Sequence, residues 1–182
     1  LGGKPQVKVL PFLGEHKEVD ESITEYYKLP AFVQYSIDGD TLTNESLKKN
    51  VRVVLFGDNS TYSSDYKLFE PVLEKYTDYD ELQFIYYLQV DQNSSASFEK
   101  NTHSNWNIVA RSNFNQLKDT HLVTSDQRIA LVDRFGHIRG LYDESDFELL
   151  SLDFQNLMVE NHHQTKKRRR SDRFSREKDK AK

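Results

Sequence analysis

Six histidines, at positions 16, 103, 121, 137, 162 and 163, are the only imidazoles in the chain that could ligate metal or carry protons. Their spacing forms no local ligand motif. His103 and His121 stand far apart, His137 falls in a strand-turn-strand pattern, and His162-His163 closes an apolar helical stripe, where an imidazolium suits the helix dipole. Each reads first as a structural side chain. Asp58 and Asp91 each follow a strand-like run. In neighbouring strands their carboxylates would face the crevice of an open sheet and suit a hard cation such as Ca²⁺ or Mg²⁺. No regular ligand spacing surrounds them, so they read as loop caps and no metal site is assigned. Ser60, Ser63 and Ser64 lack the Gly-x-Ser-x-Gly setting of a hydrolase nucleophile. The chain has no cysteine, which removes thiol redox chemistry, disulfides, thiolate zinc sites and cysteine nucleophiles together. No catalytic constellation remains, and the chain reads as a non-enzyme with no cofactor.

The 182 residues are enough for one domain, and 21 Phe and Tyr supply material for a core. No run approaches the ~18 apolar residues of a membrane span. Charge is divided unevenly. Residues 166–182 hold ten basic and three acidic side chains, a net of +7, which leaves residues 1–165 at −11 within an overall −4. An acidic body repels nucleic acid, whereas the block Lys166, Lys167, Arg168, Arg169 and Arg170 suits anionic lipid or an acidic protein partner. The chain begins with Leu1, and a signal or membrane anchor is expected upstream of it. Triplets at Asn44, Asn59 and Asn93 match the N-glycosylation pattern, which arises often by chance in Asn- and Ser-rich chains.

The elements that must position these groups follow from pattern. Residues 1–24 read as an extended leader carrying Gly2-Gly3, Pro5 and Pro11. Residues 32–37, the turn signal Asp38-Gly39 and residues 41–43 read as a hairpin, and Asn44 caps a short helix. Val51-Arg-Val-Val-Leu-Phe56 reads as a strand buried on both faces. Tyr66, Phe69, Val72, Leu73 and Tyr76 then recur at helical spacing, and residues 82–90 read as a second strong strand. Residues 94–103 are a helix candidate and 106–110 a short strand. Residues 129–133 and 137–142 flank Arg134-Phe-Gly136 as a hairpin. Ser145-Asp-Phe-Glu148 is a capping-box pattern opening an apolar helical stripe to about Glu160. Beyond it, residues 161–182 read as a basic tail without fixed structure. This order predicts an α/β domain over 25–160 with a thioredoxin-like fold, a central mixed β-sheet with helices on both faces.

Several local words, Leu29-Pro-Ala-Phe32, Asp38-Gly-Asp-Thr-Leu-Thr43, Val53-Val-Leu-Phe-Gly57, Leu131-Val-Asp133 and Gly136-His-Ile-Arg-Gly-Leu-Tyr-Asp143, resemble the Sco/SenC proteins. Leu10-Pro-Phe-Leu-Gly14 resembles the lead-in of bacterial members, and the resemblance runs from about Leu10 to Leu157. It implies a thioredoxin-like, usually membrane-tethered protein that delivers copper during cytochrome oxidase assembly. That chemistry uses Cys-x-x-x-Cys after the central strand and a distal His, soft ligands suited to Cu(I). The resemblance places the cysteines at about Asp58 and Tyr62 and the histidine near Ser125. None of these ligands is present, so the chain reads as a degenerate member.

The expected function is a non-catalytic binding or assembly module, extracytoplasmic (periplasmic) and tethered, accessory to a membrane complex such as a respiratory oxidase. Asp58, Asn59, Ser60, Thr61, Tyr62 and Ser125 would form its recognition surface, and the basic block a second contact. The alternative is residual Cu(II) binding through His and carboxylate ligands.

Overall fold

The computed structural model describes residues 8–91 and 103–180, the side chains of residues 165–180 excepted. Its centre is a five-stranded mixed sheet in the order β7-β6-β5-β8-β9. These strands are β5 (Val51–Gly57), β6 (Leu82–Gln89), β7 (Trp106–Arg111), β8 (Ile129–Val132) and β9 (Ile138–Tyr142). β5, β6 and β7 run parallel, while β8 pairs antiparallel with both β5 and β9. Every residue of β5 is buried, as expected of a continuous apolar run between two paired neighbours.

Alternate β5 residues feed two cores. Val51, Val53 and Leu55 face the helices α1 (Tyr62–Lys75) and α3 (Phe147–Lys180), packing with Phe69, Leu73, Leu150, Phe154 and Leu157. Val54 and Phe56 face the other side, where α2 (Phe114–Thr120) contributes Phe114 and Leu117. Helices therefore cover both faces, as expected. The small hairpin of β3 (Val33–Tyr35) and β4 (Thr41–Thr43) also forms as its Asp-Gly turn predicts, and Gly39 adopts a φ of +90° there.

Several sequence expectations are corrected. The leader holds a second hairpin of β1 (His16–Asp20) and β2 (Ile23–Tyr26), every residue of which is exposed. Leu10 is buried in the core, and Arg139 ties the leader down through the carbonyls of Leu10 (2.7 Å) and Pro11 (3.1 Å). Asn44 starts no helix. Residues 44–49 form successive turns, and the Asn44 amide oxygen instead accepts from the Phe32 N–H at 2.9 Å. The capping box opening the final helical segment is Asp143 with Asp146, two residues before the Ser145–Glu148 pattern. The sequence reading has no counterpart for α2. Residues 94–102 of the expected helix lie outside those described, apart from its end at His103.

The largest correction concerns the tail. α3 runs on to Lys180 where structure was expected to end at Asn161. Asn161 is buried, Glu160 is bonded by Arg139, and Gln164 pairs with both Glu160 (3.2 Å) and Arg134 (3.4 Å). The following residues contain neither Gly nor Pro and are rich in Lys and Arg, both good helix formers. A helix anchored by its first turns propagates through such a sequence.

Candidate functional site

The loop between β5 and α1 occupies the carboxyl end of the central strand, where open α/β sheets present ligand-binding groups. Asp58 organises it. Its Oδ1 accepts from the Ser60 N–H (2.8 Å), the Ser60 hydroxyl (2.6 Å) and the Thr61 N–H (3.1 Å), an Asx-type turn that leads into the helix. The Ser60 hydroxyl is the main reason that the Asp58 carboxyl sits below its ordinary range. The Asp58 N–H donates to Thr61 Oγ1 at 3.1 Å, and that oxygen lies 3.2 Å from the Tyr86 hydroxyl. Asn59 and Ser60 are exposed at the tip, and Thr61 and Tyr62 are half-buried.

Beneath the loop lies a buried polar network that the sequence reading missed. Asp65 in the first turn of α1 and Tyr86 on β6 are both buried, and the Tyr86 hydroxyl donates to Asp65 Oδ2 at 2.7 Å. Arg128 donates two further bonds to Asp65, at 2.8 and 3.1 Å, one to the Phe56 carbonyl at 3.2 Å, and one to Glu144. Burial, reinforced by the Asp65 charge, raises the Tyr86 hydroxyl far above its ordinary value. The carboxylate in turn holds Arg128 firmly protonated. Gly57 makes the approach possible, since a Cβ there would collide with the Tyr86 hydroxyl and Thr61 Oγ1. The sequence does carry one signal for this network. Asp65 falls on the apolar stripe, between Tyr62 and Phe69, where a carboxylate must find a partner.

Tyr62 belongs to an aromatic cluster rather than to a free surface. Its ring packs edge-on against Tyr86 (5.1 Å) and beside Tyr66 (6.2 Å) and Trp106 (6.4 Å), and burial raises its hydroxyl above the usual value. Tyr66 reaches His103 Nδ1 at 2.7 Å.

The structure brings Asp58, Asn59, Ser60, Thr61 and Tyr62 together by their adjacency in the loop. Ser125 is exposed in a separate turn, where its hydroxyl donates to Asp126 at 3.4 Å. Arg128, three residues further on, bonds Asp65 beneath the loop. Lys166, Lys167, Arg168, Arg169 and Arg170 lie on the extended part of α3.

The histidines scatter. His103 sits with Tyr66 on the α1 face. His121 is buried on the opposite face against Phe56 and Tyr87, its Nδ1 2.8 Å from the Leu117 carbonyl. Burial lowers His121 to about 4. His137 is half-buried rather than an exposed cross-strand residue, with Nδ1 3.0 Å from the Tyr27 carbonyl. His162 and His163 are exposed well before the end of α3, so they do not cap its dipole. β5 and β6 are neighbours, as the Asp58–Asp91 reading required, yet no group of three His, Asp or Glu side chains that could hold a metal occurs among the described residues. Hydroxyl and carboxylate oxygens at positions 58, 62 and 125 are hard donors and do not fit Cu(I). Among the described residues no helix is long and apolar enough to cross a membrane.

No family model matches the chain, and no curated protein matches it in sequence. Solved structures do match in shape. BsSco, a member of the Sco family of cytochrome c oxidase assembly proteins, aligns at a TM-score of 0.55 and 15% identity over 73% of this chain and 94% of its own. A SCO1/SenC family lipoprotein from Bacillus anthracis aligns at 0.52 and 18%, over 72% and 95%. The exposed lipoprotein thioredoxin Etrx1 of Streptococcus pneumoniae aligns at 0.50 and 16%, over 68% and 98%. The chain has a thioredoxin-like fold, and Sco/SenC structures stand among its neighbours.

Proposed function

We propose that this chain is a non-catalytic, degenerate Sco/SenC-like binding or assembly module in which the loop after the central strand serves as a recognition surface. The observation that carries this reading is the Asp58 turn. Where the resemblance places a redox pair, a carboxylate and two hydroxyl residues lock the backbone through their own hydrogen bonds and leave Asn59 and Ser60 exposed. Rigid polar display on a fixed scaffold favours recognition by reducing the ordering cost of binding. By analogy with the assembly role and lipoprotein character printed for the neighbours, the module is tethered outside the cytoplasm, and its partner is a subunit of a membrane complex such as a respiratory oxidase. The basic extension of α3 supplies a second contact with anionic headgroups or an acidic subunit.

The test is crosslinking in membranes of the source organism, comparing the natural chain with Asn59→Arg. Asn59 is exposed, so the substitution leaves the fold intact, whereas Tyr62→Ala would disturb the aromatic cluster. Loss of a defined membrane-complex crosslink in Asn59→Arg, with unchanged melting, supports the surface. An undiminished crosslink pattern would remove the loop from the interface.

A further inference from the structure

We propose that the cavity beside α2 is a binding site for a small organic monocarboxylate with an apolar body, held by Arg52. This site lies on the opposite face of the sheet from α1 and is independent of the recognition loop. Its volume is about 160 Å³, similar to the ~150 Å³ of an apolar cavity that accepts benzene. Leu29, Phe32, Val54, Ile85 and Leu117 supply apolar walls, while exposed Pro30 and Gln116 mark where the lining reaches the surface.

Arg52 sets the charge of the site. It lies on β5 between Val51 and Val53, alternates onto the α2 face, and is 2% exposed. Its guanidinium makes no hydrogen bond or ion pair with the described residues, and its Nε is buried without a partner. By contrast Arg128 pairs with Asp65, and Arg139 with Asp133 and Glu160. Asp133 is the carboxylate whose field reaches Arg52, but its oxygens are occupied. Oδ1 accepts from the Phe135 and His137 N–H groups, and Oδ2 accepts from Arg139. The buried Tyr87, Gln34 and His121 of the wall are engaged within the chain. Tyr87 donates to Gln34 at 2.7 Å, and His121, held neutral by burial, bonds the Leu117 carbonyl.

A buried cation without a partner is costly, and replacing such a group by a hydrophobe of the same volume is often stabilising. A carboxylate offsets that cost, because its two oxygens match the guanidinium fork. One cation compensates one negative charge, which favours a monocarboxylate over a phosphate dianion. The apolar walls require an apolar body behind the charge.

Benzoate is the probe, followed by thermal melting and by amide NMR shifts in the intact chain. Benzyl alcohol tests the need for charge and inorganic phosphate the need for an apolar body. Benzoate is expected to raise the melting temperature in a concentration-dependent way and to shift amides of β5 and α2, with both controls at least about tenfold weaker. Arg52→Met is expected to weaken benzoate by about tenfold or more while folding normally. Arg52→Lys, which keeps the charge but loses the fork, provides the same comparison should the Met variant not fold, and is expected to bind more weakly than Arg52. No benzoate response at millimolar concentration, a response equal in the Arg52 variants, or tighter binding of phosphate would each overturn the assignment.

Discussion

Replacing Arg128 by Met would remove the cation from beneath the recognition loop while keeping a side chain of similar reach. Asp65, with its side chain only 3% exposed, would lose two charge-assisted hydrogen bonds and keep one from Tyr86. Breaking a buried pair by removing one partner costs about 3–5 kcal/mol. The lower end applies here because the Arg128 side chain is 23% exposed and the Tyr86 hydroxyl still serves the carboxylate. A loss of about 3 kcal/mol corresponds to a melting temperature lower by roughly 6–12 °C in a protein of this length.

Urea unfolding of four chains tests the assignment: the natural protein, Arg128→Met, Asp65→Leu and the double variant. The double variant removes both charges and leaves Tyr86 with Thr61 Oγ1 3.2 Å away, so it is expected to recover most of the loss, to within about 1 kcal/mol of the natural chain. Strong non-additivity is therefore the signature. A single Arg128→Met cost below about 1 kcal/mol, or a double variant whose losses simply add, would refute a buried ion pair as the support of this loop.

Three further outcomes are expected. Because His121 titrates at about 4 in the folded chain against ~6.5 when unfolded, the unfolded state binds the proton first. Stability should therefore fall as pH drops from about 6.5 to 4, by up to about 3 kcal/mol. Denaturation across that range should show a shallower fall for His121→Met, and identical profiles would exclude a neutral buried imidazole. Gly57→Ala should cost about 1–3 kcal/mol by forcing a methyl against the Tyr86 hydroxyl. Tyr86→Phe should relieve part of that cost in a double-mutant cycle by calorimetry, and failure to relieve it would place the strain elsewhere. Titration of the purified chain with Cu(I) and Cu(II) against a competing chelator should show no tight stoichiometric binding. Tight binding would mean that the fold assembles ligands from residues outside the groups described, and would revive the metal-handling reading.

The sheet was readable because its chemistry is local. The runs at 51–56 and 82–90 are too apolar for a one-sided strand, and they pair as neighbours buried on both faces. The β1–β2 hairpin carried no such signal, since every residue in it is exposed and no alternation is imposed by a core. α2 was missed for a related reason. Its seven residues turn only Phe114 and Leu117 inward, too short a stripe to stand out from a loop. The tail was misread because charge density says whether a segment can bury itself, not whether a packed helix upstream can carry it onward.

The site shows where sequence reasoning stops. Position 58 was found through the strand that ends there, and its bonds to residues 60 and 61 are of the kind that short Asx patterns announce. The three arginines are different. Arg52, Arg128 and Arg139 all lie in or beside apolar strand runs and look alike along the chain. Their roles diverge through contacts that no local window contains. Arg128 meets Asp65 from 63 positions away, and Arg139 meets the leader carbonyls from 128 and 129 positions away. Arg52 meets neither, and Asp133, the acid whose charge reaches it, is bonded by Arg139 instead. Arg139 therefore does two things at once. It closes the leader over the domain, and by binding Asp133 it leaves Arg52 without an acidic partner among the described residues.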